Sequence, residues 1–146
     1  MLSVAEIMTA QPYTLGPDDS LLDAASLMRE HHIRHIPIVA NDGNVIGVVS
    51  HRDVLAASDS RLVHQLQTGS KENYVALSAV MTSPVQTVTE DAELRAVASH
   101  LREQRMGCMP VTRDGALVGI VSDSDFLEVA IALMEQLEMV EPEEEF

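Results

Sequence analysis

Apolar positions along this chain switch between a helical spacing and an alternating or continuous one, and each switch marks a new element. Leu21, Ala25 and Met28 recur at i, i+4 and i+7 with Leu22 and Ala24 beside them, which predicts an amphipathic helix running to about His32. Ahead of it, Thr14-Leu15 reads as a short extended piece and Gly16-Pro17-Asp18-Asp19 as a turn and helix start. The period then shortens. Ile36-Pro37-Ile38-Val39 is a β-branched strand, and Asn41-Asp42-Gly43-Asn44 is a turn of residues that tolerate positive φ. Val45-Ile46-Gly47-Val48-Val49 is a continuous apolar strand, hence buried, and Ser50 onward starts another helix.

The same order then comes round again. Asp91 opens a helix carrying Leu94, Val97, Ala98 and Leu101; Met109-Pro110-Val111 is a strand, Asp114-Gly115 a turn, and Leu117-Val118-Gly119-Ile120-Val121 the buried strand before Ser122 and a last helix. Residues agree as well as patterns. Met8-Thr9 returns as Met81-Thr82, Arg29-Glu30 as Arg102-Glu103 and Pro37 as Pro110, at an offset of 73. One residue is then dropped, and Gly47 and Ser50-x-x-Asp53 return as Gly119 and Ser122-x-x-Asp125 at an offset of 72. Two copies imply a paired module with pseudo-twofold symmetry rather than a solenoid, with a cleft between the copies where function should lie. The expected fold is mixed α/β (α+β), each unit β-α-β-β-α with helices covering one face of a small sheet. The first unit spans 4–66 (core 8–57) and the second 77–138 (core 81–130); a polar linker covers 67–76 and an acidic tail 139–146. Between the cores, Ala56 to Ala79 reads as a helix continuation followed by the linker.

Composition narrows the function classes. With aromatics at 3% and no Trp, the core must be built from Val, Ile, Leu, Ala and the eight Met. No run of 18 apolar residues exists, so no membrane span is read, and the N-terminal MLSVAEIMTA lacks the basic-then-apolar layout of a signal peptide. A single cysteine, Cys108, excludes an intramolecular disulfide and suits a reducing cytoplasm. The net charge of −14 argues against nucleic acid as a partner. That charge is uneven: Phe126 to Phe146 holds seven Glu and no Lys or Arg, while basic side chains gather around His31, His32, Arg34, His35, His51 and Arg52. Such a spot can still bind an anion, because screening confines distant charges to about 8–10 Å.

The residues Ile7-Met8-Thr9, Leu21…Ala25…Met28, Ile33-x-x-Ile36-Pro37-Ile38-Val39, Asp42-Gly43 and Gly47-Val48-Val49-Ser50-x-x-Asp53 have counterparts in the second copy. These run from Val80-Met81-Thr82 to Gly119-Ile120-Val121-Ser122-x-Ser124-Asp125. With this pair of motifs the chain resembles a tandem cystathionine β-synthase (CBS) domain pair, or Bateman module, over roughly residues 4–57 and 77–130. The resemblance implies a stand-alone, non-catalytic regulatory module. Its clefts would bind an adenosine-containing ligand (AMP, ADP, ATP or S-adenosylmethionine, with Mg²⁺ as a companion ion), with no tightly bound cofactor. It also implies a disc-like homodimer and a regulated protein that the sequence does not name.

The resemblance implies that each cleft joins the Ser/Asp of one copy to the base-packing strand of the other. For one cleft these are Arg34, His35, Ser50 and Asp53, with Met106-Gly107 and Pro84-Val85 on the adenine side and Gly107 leaving room for a flat ring. For the other they are Ser122, Ser124 and Asp125, whose own phosphate position, Gly107-Cys108, is uncharged; Thr9 is a further ligand-binding residue expected from the resemblance. The first cleft is therefore expected to prefer a phosphorylated ligand and the second to stay empty or take a less charged one. A helix N-terminus offers free N–H groups to a phosphate, and a carboxylate there can accept both hydroxyls of a ribose diol. Ser-x-x-Asp is equally the signature of a plain capping box, and that reading stays open.

Other chemistry is weaker. His31, His32 and His35 lie close enough to suggest a metal site, but no Cys or paired carboxylate is near, and His31-His32 also reads as a solvated helix end. Cys108, between Gly107 and Met109, reads as a small core residue, and no nucleophile elbow, Walker loop or dinucleotide fingerprint is present. Leu127, Ala130, Ile131, Met134 and Leu137 form an apolar stripe suited to dimer packing. The rival to a ligand sensor is a scaffold that uses the same fold for protein contact or dimerisation without a ligand.

Overall fold

A computed structural model describes residues 2–58 and 74–140. The expectations for the helix beyond Ser58, for the linker up to Asn73 and for the tail from Glu141 lie outside the described residues. Within them the first copy contributes β1 (Thr9–Ala10), α1 (Leu21–His31), β2 (His35–Val39), β3 (Val45–Ser50) and α2 (His51–Ser58). The second contributes β4 (Val88–Thr89), α3 (Leu94–Gln104), β5 (Cys108–Arg113), β6 (Ala116–Ser122) and α4 (Asp123–Val140).

Local chemistry explains the boundaries. Ser20 Oγ accepts the Asp23 N–H at 3.1 Å while the Ser20 N–H donates to Asp23 Oδ2 at 3.0 Å, a reciprocal cap that starts α1. In the second copy Glu93 stands at the cap without a side-chain bond, and the helix begins at Leu94, not at Asp91. Asp91 instead accepts the Thr89 hydroxyl at 2.5 Å and belongs to the preceding turn. Both helices end alike: His32 (φ 55°) and Arg105 (φ 54°) turn left-handed and release the chain into β2 and β5.

The hairpins β2–β3 and β5–β6 are antiparallel and in equivalent register, with His35 opposite Ser50 and Cys108 opposite Ser122. Their outer neighbours reveal an exchange between the copies. β1 of the first copy pairs with β6 of the second, Thr9 opposite Ile120, in a four-stranded order β1-β6-β5-β4. Conversely Thr82 of the second copy bridges Val48 in β3 of the first. The segments ahead of those positions follow. The Val4 N–H donates to the Ala92 carbonyl at 3.0 Å, and its counterpart, the Leu77 N–H, donates to the Asp19 carbonyl at 2.8 Å.

The hydrophobic clusters show the same exchange. Fully buried Leu77 packs with Leu21, Ala24, Met28, Ile36, Ile38 and Val49, while fully buried Val4 packs with Leu94, Val97, Leu101, Met109, Val111 and Val121. Each sequence repeat therefore lends its opening segment to the other's core. Gly47 and Gly119 make room for it: a Cβ at Gly47 would come within 2.6 Å of Met81 Sδ and 3.0 Å of the Thr82 carbonyl, and one at Gly119 within 2.5 Å of Met8 Sδ and 3.0 Å of the Thr9 carbonyl.

Candidate functional site

In each copy a buried strand hands over to a helix at the Ser-x-x-Asp motif. The handover is pinned from the strand partner: the His51 N–H donates to the Arg34 carbonyl at 2.7 Å and the Asp123 N–H to the Gly107 carbonyl at 3.0 Å. Ser50 and Asp53 form the full capping box, Ser50 N–H to Asp53 Oδ2 at 2.8 Å and Asp53 N–H to Ser50 Oγ at 3.1 Å. The structural role of the motif is thus real. It uses Oδ2 of Asp53 only; among the described residues Oδ1 accepts no hydrogen bond.

Beside this cap lies a cleft of about 1230 Å³, larger than the usual range for a small-molecule site. Arg34, His35, Ser50, Asp53, Val85, Met106 and Gly107 all line it, so the residues expected of the first cleft come together from the two copies. Thr9, Ser122, Ser124 and Asp125 do not line it. At the second motif the Ser122 N–H donates to Asp125 Oδ2 at 2.8 Å, while the Ser122 hydroxyl lies 3.1 Å from that same oxygen and 2.8 Å from Ser124 Oγ. Those hydroxyls are engaged with their own neighbours, and Thr9 sits across from Ile120 on β6.

Sequence reasoning missed part of the lining. Arg102 and Arg105 join Arg34 and Arg52 of the basic group already noted, so four of the chain's nine Lys and Arg side chains converge on one cleft in a molecule of net charge −14. Among the described residues Arg95 and Arg113 pair with Glu93 and Glu90, whereas none of the four cleft arginines forms an ion pair. One signal for Arg102 and Arg105 was present: they close the helix that runs directly into Met106-Gly107.

His35 is the innermost cation-capable group. Its ring lies against Gly107, where a Cβ would meet Nε2 at 2.6 Å, so the flat ring accommodated by that glycine is the protein's own. Burial lowers the His35 pKa below 6.5, against the opposing pull of Asp123 and Asp53; Arg34 adds to the lowering. Burial and, secondarily, Asp123 push the neighbouring Cys108 thiol up to about 12, so it is a protonated core residue rather than a nucleophile. His31 points elsewhere, stacked on Tyr13 with centroids 3.9 Å apart. The described residues contain no group of three or more His, Cys, Asp or Glu arranged to hold a metal, and no helix among them is long and apolar enough to cross a membrane.

The CBS domain family matches the chain twice, over residues 4–60 and 77–132. The chain belongs to the CBS domain family. Among solved structures, a putative acetoin utilization protein (AcuB) from Vibrio cholerae is 38% identical with a TM-score of 0.81, covering 94% of this chain and 98% of that one. The CBS domain pair of protein MJ0100, in complex with 5′-methylthioadenosine and S-adenosyl-L-methionine, is 26% identical (TM-score 0.76; 90% and 98% covered). CBSX2, in complex with AMP, is 25% identical (TM-score 0.76; 92% and 99% covered). Curated relatives differ in length: the chain spans 43% of an uncharacterised protein of Thermofilum pendens (32% identical over 86% of this chain) and 93% of a CBS domain-containing protein of Dictyostelium discoideum (27% identical over 90%).

Proposed function

We propose that this CBS pair is a non-catalytic regulatory module, cytoplasmic and homodimeric, that binds an adenosine-containing phosphate ligand in the Asp53 cleft. The observation carrying this reading is the convergence beside the Ser50–Asp53 cap of four arginines that form no ion pair among the described residues. Asp53 Oδ1 would take the ribose hydroxyls, and the α2 N-terminus, Ser50 and Arg34 the phosphate. The ligands in the MJ0100 and CBSX2 complexes support the adenosine part. Binding would act by population shift: a ligand touching both copies favours one relative arrangement of them, which a partner protein reads.

A ligand-free scaffold is the second reading, favoured by α4. Leu127, Ile131, Met134 and Leu137 recur along one side of that helix and are 64%, 54%, 59% and 69% exposed. The two readings separate in a thermal-shift panel of AMP, ADP, ATP and S-adenosylmethionine, with and without Mg²⁺. A ligand at about 100 times its Kd adds about 2.7 kcal/mol, a rise of several degrees. We expect such a rise for at least one phosphorylated ligand in the wild type and its loss in Asp53→Ala but not in Asp125→Ala. A flat panel would leave the scaffold; loss in Asp125→Ala alone would move the site to the other motif.

A further inference from the structure

His35 opens β2 with its backbone paired to Ser50 and with fully buried Ile36 next to it, so any movement is confined to its side chain. The ring reaches across to the second repeat. The three atoms nearest to a Cβ built on Gly107 all belong to it: Nε2 at 2.6 Å, Cε1 at 3.1 Å and Cδ2 at 3.8 Å. Gly107 does not have a left-handed φ, so its backbone does not require glycine, and the missing side chain is the seat of the His35 ring. That seat opens on the cleft of about 1230 Å³, which His35 and Gly107 both line.

The surrounding groups decide what a proton does there. Asp53 on α2 and Asp123 on α4, one from each repeat, attract a charged imidazole. Each already accepts a backbone N–H, from Ser50 at 2.8 Å and from Ser124 at 2.9 Å. Arg34, just before β2, opposes the charge, and Cys108 on β5 stays a neutral thiol. His51 and Arg52 on α2, and Arg102 and Arg105 at the end of α3, line the same cleft. Burial outweighs the two carboxylates, so the seat prefers the neutral ring, while the open cleft, where water hydrates the charge, prefers the imidazolium.

We infer that His35 is a retractable plug: its neutral ring closes the slot over Gly107 between the two repeats, and protonation withdraws it into the cleft and opens that slot. The contact is autoinhibitory, because the His35 ring and a flat ring of a ligand cannot occupy the slot together. A proton shifts the population between two positions of one side chain. The related position cannot answer in this way: the repeat counterparts of His35 and Gly107 are Cys108, whose thiol is pushed up to about 12, and Arg34.

NMR of the isotope-labelled full chain between about pH 8 and about pH 5 follows the His35 Cε1–H signal and its contact with the Gly107 Hα. The contact should be present at the alkaline end and vanish as the ring titrates, with a midpoint below 6.5. Gly107→Ala, whose methyl takes the seat, should abolish the contact at every pH and return the midpoint towards 6.5. A ring that titrates in place over Gly107, or an unchanged midpoint in Gly107→Ala, overturns the plug. Stability gives an independent reading: Gly107→Ala should lower the melting temperature in the wild type but not in His35→Ala, and equal losses in both backgrounds also overturn it. Autoinhibition rests on the proposed nucleotide reading and has its own measurement. By calorimetry at about pH 7.5, His35→Ala should bind AMP at least about threefold more tightly than the wild type, since no plug has to clear the slot first. AMP bound no more tightly by His35→Ala overturns the autoinhibition. AMP bound by neither protein overturns the nucleotide reading and leaves the proton-driven withdrawal to be upheld or overturned by the spectra.

Discussion

His35 connects burial, charge and ligand chemistry in one side chain. Its ring fills the space over Gly107 at the meeting of the two repeats, within reach of Asp53, Asp123 and Arg34. Because burial holds its folded-state pKa below the ordinary 6.5, the unfolded chain binds the proton more readily than the folded one. The stability this group contributes is fully present above pH 6.5 and is lost as pH falls from there through the lowered folded value. The melting temperature of the ligand-free protein should therefore decline below about pH 6.5 more steeply in the wild type than in His35→Gln, as thermal denaturation at fixed ionic strength would measure. Identical pH profiles in the two proteins would remove His35 from that role. A phosphate bound in the cleft as proposed would favour the charged imidazole, so ligand affinity should rise as pH falls over the same interval.

At the level of elements, the strands β3 and β6 do two jobs, and their glycines show it. Gly47 and Gly119 let the exchanged segments cross, with methionine sulfur and a backbone carbonyl already close to where a side chain would begin. Met81 and Met8 can swing aside; the carbonyls of Thr82 and Thr9 belong to paired backbone and cannot do so cheaply. Gly47→Ala and Gly119→Ala should each cost about 1–3 kcal/mol, read as a lowered denaturant midpoint with the slope unchanged. A neutral result at both positions would mean that the crossing is slack. These elements also show what the sequence could reveal. Helices α1 and α3 and the two hairpins were legible because apolar period and turn residues agree within each short stretch. Arg34, His35, Ser50, Asp53, Val85, Met106 and Gly107 were legible through the family resemblance, which joins the handover motif of one repeat to the strand of the other. Arg102 and Arg105 had only their nearness to Met106-Gly107 to mark them, since at the end of a helix they read as a solvated surface, and only packing of the second repeat against the first brings them to the cleft. The three-residue error at the start of α3 has a similar origin: Asp91 looks like a cap, but its carboxylate is taken by Thr89.

Across the whole molecule, the exchange of opening segments means that sequence repeats and packing units do not coincide. No local pattern around Val4 or Leu77 reveals this, because the bonds that decide it run from the Val4 N–H to Ala92 and from the Leu77 N–H to Asp19, far away along the chain. The exchange ties the two halves together by covalent chain as well as by contact, which suits a molecule whose proposed task is to convert occupancy of a shared cleft into a change of arrangement. It also inverts the expected map of mutational damage. Val4 lies in the first sequence repeat but is fully buried in the second cluster, and Leu77 lies in the second but is fully buried in the first. Val4→Ala should cost about 1–3 kcal/mol and Leu77→Ala about 2–5 kcal/mol. Native-state hydrogen exchange resolves where each loss falls, because sub-global openings are reported amide by amide. In Val4→Ala the amides of α3, β5 and β6 should lose protection first, while α1, β2 and β3 hold. Leu77→Ala should reverse the pattern. If each substitution instead loosened its own sequence repeat, the exchanged pairing of β1 with β6 and of Thr82 with Val48 would not describe the protein in solution, and the cleft would have to be assembled without that linkage.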